Sequence, residues 1–205
     1  MPLKLAVLLS GSGSTFQNFL ECIEHGTLDA EVVCVVASRT DAFGLERARK
    51  AGVPALVVAR KSFSDTVTFS DAVWNEIGPF EPDLVALAGF MCLLHVPEAY
   101  TNRMMNVHPA LIPAFCGKGM YGHRVHEAVL KSGVDTTGAT VHFVDNEYDH
   151  GPIILQEEVP VHEGDTAESL AARVQAVERE LYPRVVQLFA EDKLVVTGQQ
   201  VQIRE

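Results

Sequence analysis

Leu5-Ala-Val-Leu-Leu9, followed at once by Ser10-Gly11-Ser12-Gly13-Ser14-Thr15-Phe16, is the stretch that decides the fold of this chain. A short apolar run closed by a glycine turn reads as a strand covered on both faces. Beyond the turn, Phe16, Phe19, Leu20 and Ile23 recur at helical spacing and share one face. The same alternation continues downstream. Val32 to Ala37 is a β-branched strand, and a helix near Phe43 to Ala51 is stopped by Gly52. Ala55 to Val58 reads as a strand, Val67 to Ile77 as a helix, and Leu84 to Ala88 as a strand between Pro82 and Gly89. Such alternation predicts an α/β fold, a Rossmann-like, doubly wound and mostly parallel sheet.

The second half is less regular. Met104 to His108 is a buried strand ending at Pro109, and a glycine-rich loop, Gly117 to Gly122, leads into a short helix that ends near Ser132-Gly133. Thr140 to Val144 and Ile153 to Leu155 are strands around the turn Tyr148-Asp149-His150-Gly151-Pro152. Asp165-Thr-Ala-Glu168 has the form of a capping box with Asp at the cap. It opens a long helix with an inward stripe of Leu170, Val174, Val177, Leu181, Val185 and Leu188. The tail, Leu194 to Ile203 around Gly198, is a candidate hairpin. With no repeat, linker or low-complexity segment, one domain over residues 1–205 is expected.

Charge and composition exclude several functions. Lys plus Arg number 16 against 27 Asp plus Glu, a net charge of −11, which disfavours nucleic-acid and anionic-membrane surfaces. The longest apolar run, Leu84 to Leu94, falls short of the roughly 18 residues of a membrane span. The patch Leu5 to Leu9 is shorter than a signal-peptide core. The four cysteines, Cys22, Cys34, Cys92 and Cys116, show no C-x-x-C spacing. A reduced, cytoplasmic setting is the simplest expectation. Among the eight histidines, His123 and His126 stand three apart on one helix. No further Cys or His completes a zinc spacing, so a solvated or hydrogen-bonded helix face is expected and no metal.

Two features carry chemistry. The turn Gly11 to Thr15 opens a helix, where outward amides and the helix dipole favour an anion. The dinucleotide fingerprint would need glycine at Phe16, and the second strand ends in Ser38-Arg39 without an acidic residue for a ribose hydroxyl. A monophosphate therefore fits better than NAD; a turn without a ligand is the other reading. In Asn106-Val107-His108-Pro109, alternation puts Asn106 and His108 on one face at a strand's carboxyl end, where open parallel sheets bind ligands. An amide donor and an imidazole suit a carbonyl carbon passing through an oxyanion. A structural pair capping the strand explains the same residues. Asp149 is a candidate partner that would favour the imidazolium, or else a plain turn residue.

At these residues the sequence resembles the phosphoribosylglycinamide formyltransferase (glycinamide ribonucleotide transformylase) family of folate-dependent enzymes in purine biosynthesis. The likeness is carried by Gly11 to Thr15, Ala88-Gly-Phe-Met91, Asn106-Val-His-Pro-Ala-Leu-Ile-Pro113, and Thr140 to Val144 through Asp149-His-Gly-Pro-Ile-Ile-Leu-Gln156. The resemblance implies the formyltransferase fold and transfer of a formyl group from the co-substrate 10-formyltetrahydrofolate to glycinamide ribonucleotide. It implies a phosphate-binding half over 1–100 and a catalytic and folate-binding half over 101–205. Its catalytic trio maps to Asn106, His108 and Asp149, with Thr140 and His142 behind them. Its phosphate and ribose contacts map to Gly13, Ser14, Thr15, Gln175 and Glu178. Its folate contacts map to Met91, Cys92, Leu93, Leu94, Asn106, Asp145, Asn146, Glu147, Tyr148 and Asp149. Many relatives carry Arg at Cys92 and Ser at Ala110, and Thr66 stands where some have an Arg that meets the folate tail. Small-molecule partners, no nucleic acid, no membrane, and a monomer or homodimer are expected. The alternatives are a formyltetrahydrofolate hydrolase, a methionyl-tRNA formyltransferase core, or a non-catalytic nucleotide-binding module.

Overall fold

Leu5 through Leu9 lose all solvent contact, as a strand packed on both faces must. A computed structural model describes residues 1–204, which divide into two compact units, Met1–Met105 and Asn106 onward. In the first unit, β1 (Leu3–Leu9) leads into α1 (Ser14–Glu24), β2 (Ala30–Ala37), α2 (Gly44–Lys50), β3 (Ala55–Val57), α3 (Thr66–Ile77) and β4 (Leu84–Leu87). These strands lie in the order β3-β2-β1-β4, all parallel. The register Leu5↔Leu84 to Leu8↔Leu87 packs leucine, valine and alanine along the centre. Phe16 and Phe19 of α1 are fully buried, each stabilising the unit by about 1.5–3 kcal/mol, while Leu20 and Ile23 are only half-buried. Asp65 caps α3 by accepting from the Thr68 amide at 2.8 Å. The lone tryptophan, Trp74 of α3, stacks on Tyr100 at 4.6 Å, and its indole N–H donates to the His95 carbonyl at 2.8 Å.

The division falls within β5 (Met104–His108), whose first two residues belong to the first unit and the rest to the second. The second unit continues with α4 (His123–Ser132), β6 (Thr136–Phe143), β7 (Ile153–Pro160), α5 (Ala167–Ala190), β8 (Leu194–Thr197) and β9 (Gln200–Ile203). Here β6 and β7 run antiparallel, β7 pairs parallel with β9, and β8 and β9 form the tail hairpin around Gly198, whose φ is 61°. Strands β6 and β7 are longer than expected. Gly138 permits this, because a Cβ there would stand 2.1 Å from the Glu157 carbonyl oxygen, so glycine serves close strand approach rather than a break.

Three expectations are corrected in this unit. The cap of α5 is Thr166, not Asp165: Thr166 and Ser169 form the reciprocal box. Asp165 instead takes both ends of the Arg173 guanidinium at 2.8 and 2.9 Å, which holds its carboxyl well below the usual carboxylate range. The inward stripe holds at Leu170, Val174, Leu181 and Val185, whereas Val177 and Leu188 are half-buried although the 3.6-residue turn puts both on the same face. His126 is no solvated face residue. It is buried with Nδ1 unpartnered, and burial lowers its pKa, while His123 is exposed.

Candidate active site

In the second unit the alternation of β5 places Asn106 and His108 side by side, and the turn after β6 returns Asp149 to them. One Asp149 oxygen lies 3.6 Å from His108 Nδ1 and the other 3.7 Å from His142 Nε2. The carboxylate is set by its own backbone, with φ of 54°, and by the Gly117 amide, which donates to it at 2.9 Å. Gly151, two residues on, is required by space: a Cβ would sit 2.0 Å from the Phe143 carbonyl oxygen.

The protons follow from the acceptors. His108 Nε2 faces the Phe115 carbonyl at 2.9 Å, and a carbonyl only accepts, so Nε2 carries a hydrogen and Nδ1 is turned to Asp149. His142 Nδ1 likewise donates to the Phe143 carbonyl at 2.8 Å. Burial lowers the pKa of His142, so its ring is neutral and Nε2 keeps a lone pair. Asn106 Nδ2 donates to that lone pair at 3.3 Å, which spends one amide hydrogen and leaves the second for a ligand. Thr140 braces the chain behind His108: its hydroxyl donates to the Ala110 carbonyl at 2.6 Å and accepts from the Ile112 amide at 3.1 Å. Gln156 donates to Thr140 and to the Ile112 carbonyl, both at 2.9 Å. Sequence reasoning missed the Phe115 carbonyl and the Gly117 amide, since backbone groups leave no residue-type signal. Gln156 appeared only as the end of a motif.

Residues 145–148 lead into Asp149. Asp145 accepts from the Glu147 amide at 2.8 Å and from His150 Nδ1 at 2.6 Å, and that carboxylate raises the pKa of His150. Asn146, Glu147 and Tyr148 are exposed. On α5, Gln175 is exposed, while Glu178 is half-buried and desolvation of its carboxyl pushes it up to about 7.

In the first unit, Gly13 takes φ of 70° at the start of α1, which has no side-chain cap and no acid in its first turn. The amides of Gly13, Ser14, Thr15 and Phe16 have no partner among the described residues. An anion is the natural partner for such amides. Ser10 joins this turn to the segment after β4: its hydroxyl accepts from the Met91 amide at 2.8 Å and lies 2.6 Å from the buried Ser38 hydroxyl. Met91 is exposed, Cys92 and Leu93 are half-buried, and Leu94 is buried. Thr66 opens α3, half-buried, its carbonyl accepting from Ser70 at 2.6 Å. Burial raises the thiols of Cys92 and Cys116, and pushes Cys34 up to about 12, so these cysteines stay protonated and are poor nucleophiles. Among the described residues there is no group of three metal-ligating side chains and no helix long and apolar enough to cross a membrane.

Free amides at a strand–helix turn and a carboxylate between two imidazoles define an α/β protein equipped for acid–base chemistry. The chain belongs to the formyl transferase family, whose model matches residues 3–186. It is 43% identical over 195 residues to the chloroplastic phosphoribosylglycinamide formyltransferase of Arabidopsis thaliana, covering 93% of this chain. It is 40% identical over 91% of its length to the trifunctional purine biosynthetic protein adenosine-3 of Bos taurus. The chain spans 66% of the plant relative and 18% of the bovine one. Among solved structures it is similar to glycinamide ribonucleotide transformylase 1 from Symbiobacterium toebii, with a TM-score of 0.93 and 42% identity. That match covers 100% of this chain and 95% of the other, and it carries the mostly parallel α/β fold.

Proposed function

We propose that this protein transfers the formyl group of 10-formyltetrahydrofolate to the amine of glycinamide ribonucleotide, giving formylglycinamide ribonucleotide and tetrahydrofolate. The observation that carries the reading is the Asn106–His108–Asp149 cluster, supported by the family and by the names of relatives of closely similar fold. The amine attacks the formyl carbon and a tetrahedral oxyanion forms. The free hydrogen of the Asn106 amide stabilises that oxygen. His108 takes the proton of the attacking amine and returns one to the folate nitrogen as the carbon–nitrogen bond breaks. The Asp149 charge favours the imidazolium between these transfers. No acyl-enzyme forms, because the Cys116 thiol near the cluster stays protonated.

Gly13, Ser14 and Thr15 hold the ribonucleotide's phosphate, and Gln175 and Glu178 its ribose. Met91 to Leu94, Thr66 and residues 145–149 hold the folate. The whole of 1–205 acts as one formyltransferase domain in the cytoplasm, on small molecules and without a metal. Two assays test this. Tetrahydrofolate release must depend on added glycinamide ribonucleotide and survive exhaustive chelation. Release at equal rate without the ribonucleotide establishes the hydrolase reading instead.

A further inference from the structure

The phosphate turn lacks a side-chain cap, yet its amides are held in one arrangement. A trans peptide sets its C=O and N–H in opposite directions, so whatever binds a carbonyl also aims the next amide. Three successive carbonyls in this turn are bound. The Gly11 carbonyl accepts from the Gly44 amide at 3.0 Å, and the Gly13 carbonyl from the Gln17 amide at 3.0 Å. The one between them, Ser12, accepts from Arg47 Nε at 2.9 Å. The amides of Ser12, Gly13 and Ser14 are thereby turned away from their bound carbonyls, and none has a partner among the described residues.

Of the three donors, two are backbone groups that α1 and α2 supply whatever their side chains. Only Arg47 is a matter of residue type. Its guanidinium is itself held in place. Nη1 donates to Gln17 Oε1 at 3.3 Å, and the group lies over the Phe43 ring, 5.1 Å from its centroid. The approach of α2 is close because two glycines permit it. A Cβ on Gly13 would stand 2.7 Å from Gly44 Cα, and one on Gly44 would stand 2.5 Å from Leu9 Cδ2.

From this geometry we infer that Arg47 is a positioning residue for phosphate: through the Ser12 carbonyl it aims the Gly13 amide at the anion, without itself being a ligand. This rests on the phosphate-turn reading above. A charge-assisted hydrogen bond is what Arg47→Met removes while keeping much of the side-chain stem. The expected result is a rise of about tenfold in KM for glycinamide ribonucleotide, with kcat at saturation lowered by no more than about twofold. KM for the folate should stay near the parent value. Arg47→Lys, which keeps the charge and one donor, should fall between the two, and serves also if Arg47→Met folds poorly.

Inorganic phosphate supplies a direct readout. In protein labelled with ¹⁵N-glycine, titration should shift the Gly13 amide resonance, and Arg47→Met should weaken the fitted affinity by about tenfold. If the parent protein shows no phosphate-dependent shift at Gly13, the phosphate-turn reading itself fails. If the parent shifts and Arg47→Met binds phosphate equally well, or loses kcat with KM unchanged, Arg47 is not a positioning residue.

Discussion

In residues 11–15 the groups free to meet a ligand are backbone amides, whereas in the second unit they belong to the side chains of Asn106, His108 and Asp149. An amide site is written in shape. It asks for glycine where φ is positive or another backbone comes near, and it carries no titratable group of its own. A side-chain cluster is written in protons, and its neighbours must fix which nitrogen holds one. Substitutions should therefore divide by unit: loss of turnover in the second, loss of affinity for the phosphorylated substrate in the first.

The largest effect should come from His108→Ala, with kcat lowered by about 10²–10⁴. Asn106→Ala should lower it by about 10²–10³. Folate binding, measured by titration, should change far less in both variants. Near-normal turnover in either would show that these side chains do not carry the chemistry.

Asp149→Asn isolates the charge from the shape. Asn tolerates the left-handed backbone seen here and keeps the size, so the change removes mainly the charge between the two imidazoles. The carboxylate that stabilises the imidazolium formed between the two proton transfers is then gone. Turnover should fall by about 10²-fold relative to the parent, with KM for either substrate changing far less. A turnover close to the parent's would leave Asp149 a turn residue.

In the first unit, Gly13→Ala should act through shape. The new methyl meets Gly44 backbone at a φ of 70°, so KM for the ribonucleotide should rise by about 10-fold or more while the pH profile keeps its form. A changed pH profile in this variant would show that the two kinds of site are not separable.

The smallest effect is on stability. Glu178 carries a carboxyl that burial raises to about 7, so the folded chain holds a proton that the unfolded chain releases near 4.5. Stability from this group is therefore lost as pH rises from the lower value toward the higher. Glu178→Gln should raise Tm at pH 8.5 by more than at pH 5, the corresponding gain in unfolding free energy being at most about 3 kcal/mol. An equal change at both pH values would show that the buried carboxyl does not titrate as described.

The first unit was legible because each strand–turn–helix step repeats one pattern, with glycines marking its turns. The second was legible where chemistry is local, as in Asn106-Val-His108 and the Gly198 hairpin. It was not legible where a polar residue serves a distant partner. Asp165 looks like a cap beside Thr166, and only Arg173, one face of a helix away, shows its use. His126 looks like a surface histidine until the fold buries it. The role of His142 came from resemblance alone, since its neutrality depends on burial and on the Phe143 carbonyl. Arg47 gave no signal either, because its partner is a carbonyl thirty-five residues earlier.

Trp74 has a consequence for watching this chain unfold. The only tryptophan lies in the first unit, stacked on Tyr100 and bonded to the His95 carbonyl. Its emission reports that unit alone, while far-ultraviolet circular dichroism sums the backbone of both. A urea titration read by both signals should give one midpoint if the chain melts as a single cooperative body, and two separated midpoints if the parallel unit and the histidine-bearing unit let go in turn.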